Sequence, residues 1–181
     1  MTEHLIACVL GGGAPRARTE LHDVAFAVGA SLQAVHGQLL NSWFGDPHGL
    51  HVDAWCFLDS VKGYRVHLAR TPPDNGLHLY FINIGGYRPG VFAEHHAWGF
   101  FAGKNKAGAK ARAKQMLLQD HEQTHKDDLY DIDDCLQIGH IGEWHVHLTP
   151  DASTSDPHIV NGYFPLPKPV IDDWIARRGN D

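Results

Sequence analysis

The sequence predicts an α+β protein built from two tandem ββαββ repeats, packed with pseudo-twofold symmetry, with antiparallel sheets and one helix per repeat. A short C-terminal extension follows. Three observations predict this. The stretches TELHDVAFAVGA (19–30) and AEHHAWGFFAGK (93–104) share a glutamate two residues before a histidine and the same apolar–small pattern. A single shift of 74 residues carries His4 onto His78, Gly11 and Gly12 onto Gly85 and Gly86, Pro15 onto Pro89, and His22 onto His96. In both halves the apolar spacing passes from strand-like to helical and back.

The elements follow in order. HLIACVLGG and HLYFINIGG are β-rich runs stopped by a glycine pair, so each reads as a strand and a turn. HDVAFAVGA and HHAWGFFAG are second strands. In SLQAVHGQLLNSWF, Leu32, Val35, Leu39 and Trp43 recur at helical spacing; in NKAGAKARAKQMLL, Ala109, Ala113, Met116 and Leu117 do so. Strands near HVDAWCFLD and LYDIDDCLQI come next, and a short turn leads to YRVHLA or WHVHLT. Without a gap, the shift of 74 also carries His51 onto His125, Asp53 onto Asp127 and Asp59 onto Asp133; after a six-residue insertion, GYRVHL matches EWHVHL at a shift of 80. The repeats therefore span residues 1–73 and 74–150. Residues 151–181 are the extension, with one strand (HIVNGYF) and a short helix opening near Pro167 and Pro169.

LGGGAPRARTELHDVAFAVG, HVDAW, LYFINIGGY and THKDDLYDIDD resemble a bacterial domain-of-unknown-function family, the one numbered 1543. The resemblance covers about residues 1–150. It implies one or two copies of a short domain, in agreement with the repeat, and implies no activity, cofactor or catalytic residue.

Composition narrows the function classes. A net charge of −6 gives no electrostatic reason to expect nucleic acid or an anionic membrane as partner. No apolar run approaches a membrane span, and the N-terminus lacks a signal-peptide pattern. Three cysteines without CxxC spacing fit a reducing cytoplasm better than a disulfide scaffold. Histidine is abundant, with 15 copies.

Strand alternation puts Glu20 and His22 on the face of Val24, Phe26 and Val28, and Glu94 and His96 on the face of Trp98 and Phe100. A carboxylate beside large apolar side chains needs a partner, and histidine is the nearest. His51 and Asp53 form a second i, i+2 pair, repeated as His125 and Asp127. If the strands are neighbours, four polar groups converge in each repeat. These eight residues are the ligand-site candidates.

Their types suit acid–base work, with carboxylate orienting imidazole. They also suit a divalent metal, the one cofactor the residue types would accept. They equally suit a structural pair that fixes strand register. The leading reading is a binding module with two pseudo-equivalent polar sites for a small polar ligand or a protein partner. A metal-assisted or acid–base enzyme and a purely structural or assembly module are the alternatives.

Other motifs read as surface or scaffold. His145 and His147 alternate with apolar Trp144, Val146 and Leu148, so they point away from the core. Lys106, Lys110 and Lys114 form a solvated stripe, and the acidic run from Asp127 to Asp134 lacks EF-hand spacing. The glycine-rich turn is no phosphate loop, because no GK[ST] follows it.

Overall fold

The structure is a computed structural model, and it describes residues 2–87, 90–117 and 134–178. The fold is mixed α+β, with antiparallel sheets and three α-helices among the described residues. Contacts divide the chain into two compact units, Met1–Asp59 with Asp156–Asp181, and Ser60–Ser155.

The first unit holds strands β1 (His4–Gly12), β2 (Leu21–Gly29), β3 (His51–Phe57) and β11 (Val160–Pro165), ordered β11-β3-β1-β2, all antiparallel. A 3-10 turn (Gln33–Val35) runs into helix α1 (His36–Ser42), and α3 (Lys168–Arg178) closes the chain. Alternation gives β1 two apolar faces. Ile6, Cys8 and Leu10 point to the helices, and with Ala25, Ala27 and Val52 they pack under Val35, Leu39, Leu40, Trp43 and Ile171. The small alanines of β2 let the helix layer approach closely. Gln38 fixes α1 to the sheet edge: its amide donates to Val28 O at 2.8 Å and its Oε1 accepts from Val28 N at 3.1 Å. Trp174 Nε1 donates to Asn41 Oδ1 at 2.8 Å and ties α3 to α1.

The second unit contains two sheets. One is β7-β6-β8, from β6 (His78–Tyr87), β7 (Glu94–Gly103) and β8 (Asp134–Ile138), with α2 (Lys106–Leu117) on one face. There Ala109 and Ala113 meet Tyr80, Ile82, Ile84 and Phe101. The other sheet is β4-β5-β10-β9, from β4 (Ser60–Val61), β5 (Tyr64–Ala69), β9 (His140–Ile141) and β10 (Trp144–Pro150).

Several expectations are sharpened. The turns before β5 and β10 are themselves laddered, as the two-residue strands β4 and β9. β4 and β5, counted in residues 1–73 by sequence, lie in the second compact unit, where β5 pairs with β10. Met116 does not join the core: it is exposed, and Leu117 packs instead. Val146 and Leu148 are buried, as their alternation requires. No helix among the described residues is long and apolar enough to cross a membrane.

Register places the insertion inside the second repeat. Val9 pairs with Ala54 on β3, and Asn83, 74 residues after Val9, pairs with Asp134, which is 80 residues after Ala54. The shift is therefore already 80 when β8 begins, so the extra residues precede Asp134 rather than follow Asp133. Cys56 then aligns with Leu136.

Candidate functional site

Glu20, His22, His51 and Asp53 come together in the first unit. Gly11, near the end of β1, pairs with His22 on β2 and with His51 on β3, so the two imidazoles flank a residue without a side chain. An added β-carbon on Gly11 would lie 2.7 Å from Asp53 Oδ2, so only glycine leaves room for the cluster there. Asp53 joins it through a β-bulge. On β1, Val9 pairs with Ala54 and Leu10 with Val52, leaving Asp53 as the extra residue of β3. The β11 ladder is irregular at the same place, where Asn161 pairs with Ala54 and Phe164 with Val52. The residues left over on β11 are Gly162 and Tyr163. The Tyr163 ring lies 4.6 Å from the His51 ring, and the tyrosine is 67% exposed.

The distances are short. His22 Nε2 lies 3.1 Å from Asp53 Oδ2 and 3.6 Å from Glu20 Oε2. His51 Nε2 lies 3.2 Å from Glu20 Oε1 and 3.4 Å from Asp53 Oδ1. Each carboxylate thus turns one oxygen to each imidazole. His51 is buried, whereas Glu20 and His22 are exposed. Its Nδ1 lies 2.9 Å from the carbonyl oxygen of Gly49, which can only accept, so Nδ1 carries a proton. In the neutral ring, Nε2 is then an acceptor facing two more acceptors. Among the described residues no hydrogen bond joins the four side chains to one another, and the buried Asp53 Oδ2 has no hydrogen-bond partner. No group of three or more His, Cys, Asp or Glu side chains among the described residues is arranged to hold a metal ion.

The second copy is described in part. Gly85 pairs with His96, as Gly11 does with His22, and His96 Nε2 lies 3.8 Å from Glu94 Oε2. Asn83 stands where β1 has Val9, and its Oδ1 is 3.3 Å from His96 Nδ1. His125 and Asp127 lie outside the described residues. A shift of 80 would align His51 and Asp53 with Asp131 and Asp133, which also lie outside them.

Sequence reasoning found the four side chains but missed their supports. Spacing does not signal the Gly49 carbonyl, the bulge at Asp53 or Tyr163, because each depends on a neighbouring strand. Face assignment needed refinement too. Glu20 and His22 share the face of Val24 and Phe26, while α1 and α3 cover the opposite face of the sheet, the one carrying Ala25 and Ala27.

Fold and site define an α+β protein with two related halves and a four-membered His–carboxylate cluster in the first. The chain belongs to the family described as Domain of Unknown Function (DUF1543), whose model matches residues 17–68 and 91–145. It is similar to the crystal structure of a protein Il1583 from Idiomarina loihiensis, at 28% identity, covering 92% of this chain and 99% of that chain, with a TM-score of 0.69. No curated protein matches the chain.

Proposed function

We propose that this is a binding protein whose Glu20–His22–His51–Asp53 cluster receives the hydrogen-bond donors of a small polar ligand. One observation carries the reading: four polar side chains lie within 3.1–3.6 Å of their neighbours with no hydrogen bond between them. The acceptors gathered there, carboxylate oxygens and the Nε2 that the Gly49 contact leaves bare on a neutral His51 ring, are best satisfied by a group that donates to them. A purely structural cluster would be satisfied from within, as Gln38 is at Val28. Glu94, His96 and Asn83 form the described part of a second site.

The repeat layout supports two related sites. In the β5–β10 ladder His67 pairs with His147, residues that match in GYRVHL and EWHVHL. Equivalent positions meeting at the middle of a ladder are what a local pseudo-twofold produces. The three free thiols accord with a reducing compartment, the cytoplasm.

Acid–base catalysis is the second reading. The Gly49 carbonyl holds His51 in the tautomer whose Nε2 can take a proton.

The test is NMR of the histidine ring nitrogens during a screen of small polar compounds. Binders should shift His22 and His51 signals in the wild-type protein and not in Asp53→Asn. Binders that leave both histidines unmoved would end the proposal.

A further inference from the structure

We infer that the donor this site receives is a primary ammonium group, and that Tyr163, supplied by the C-terminal extension, is the residue that selects the organic part of the ligand. The inference rests on the binding reading above and narrows it to a chemical class.

Charge is the first argument. Among the described residues the ion-pair partners of Glu20 and Asp53 are histidines, and neither meets a lysine or arginine. Among these residues the two carboxylates are thus met by imidazoles and by no permanent cation. Donor count is the second. Glu20 offers carboxylate oxygens, Asp53 has a buried oxygen without a partner, and His51 offers Nε2 because its Nδ1 proton is engaged by Gly49. A primary ammonium brings one charge and three N–H donors, which matches three acceptors of different chemistry. A hydroxyl brings one donor and no charge.

Tyr163 supplies the third argument. It stands in the irregular stretch of β11 opposite Asp53, touches His51 with its ring, and leaves most of its surface to solvent. An aromatic face beside paired carboxylates attracts a cation and packs the carbon chain that carries it. Among the described residues β8 has no partner strand on the side where β11 covers β3. The two sites then differ in ligand preference, and the extension makes the difference.

The experiment titrates the full chain with n-butylammonium, tetramethylammonium, butanol and Zn²⁺, reading the His22 and His51 ring signals by NMR and affinity by calorimetry. n-Butylammonium should bind and shift both histidines. Tetramethylammonium, a cation without N–H donors, should bind at least about tenfold more weakly. Tyr163→Ala should weaken n-butylammonium about fivefold, and Tyr163→Phe should stay within about twofold of wild type. Equal binding of tetramethylammonium, or preferential binding of Zn²⁺ or butanol with shifts of the same histidines, overturns the ammonium assignment while leaving the binding site standing. Unchanged affinity in Tyr163→Ala overturns the role of Tyr163. If no probe moves either histidine, the binding reading fails together with this one.

Discussion

Gly11 and His51 face each other across the β1–β3 ladder, and a β-carbon added to Gly11 would fall 2.5 Å from Nε2 of His51. The nearest atoms belong to a buried ring anchored by Gly49, so the ring has little freedom to retreat. Gly11→Ala should therefore displace His51 or Asp53 and destabilise the protein by about 1–3 kcal/mol. Denaturant unfolding measures the loss, and the His51 ring signals should move in the same variant. Full stability with unmoved signals would show that the cluster is looser than these distances imply.

Arg16 is the one non-glycine residue with positive φ among the described residues, at 74°. The residue 74 positions later is Gly90, with φ 79°, so both hairpins use the same left-handed position. An arginine there holds a conformation that disfavours a β-carbon by roughly 1–2 kcal/mol. Glycine removes that strain and adds chain entropy to the unfolded state of roughly 0.5–1 kcal/mol. Arg16→Gly should raise stability by up to about 1.5 kcal/mol on thermal unfolding. A clear loss would mean that the Arg16 side chain contributes more than its backbone costs.

His36 opens helix α1 and is buried, and burial holds its imidazole below the ordinary pKa. As pH falls through about 6.5, the unfolded chain takes up a proton that the folded chain refuses until lower pH. The unfolded state binds more protons in that window, so stability must fall as pH drops through it. His36→Leu removes the linkage. The difference in melting temperature between pH 7.5 and pH 5.5 should be smaller in the variant than in the wild-type protein. An unchanged difference would assign the acid sensitivity to other histidines.

Local pattern made the elements legible. Leu32, Val35, Leu39 and Trp43 show helical spacing, and all four are buried in one core. The Val146–Leu148 alternation placed His145 and His147 outward for the same reason. What escaped the sequence depends on partners. Whether Asp53 shares a side with His51 is set by a bulge against β1, and a bulge leaves no periodic mark. Which face of β2 carries the helices was ambiguous because both faces are apolar, one large and one small. Matched polar letters kept the 74-residue alignment running past β3, and only the pairing of Asn83 with Asp134 shows where the insertion lies. Tyr163 lies more than a hundred residues from His51 and in no repeat, so no spacing could join them.

Thermal unfolding of the double variant Glu20→Gln, Asp53→Asn, at pH 7.5 and without ligand, tests the central claim most directly. If the cluster is a site kept for a ligand, acceptors such as Asp53 Oδ2 lack a donor in the free protein. Neutral amides then supply the missing donors, so the melting temperature should stay level or rise by a few degrees, roughly 1 kcal/mol. If the cluster exists to hold β1, β2 and β3 in register, the same variant should melt lower. A fall of more than about 6 °C, roughly 2 kcal/mol, would contradict the account.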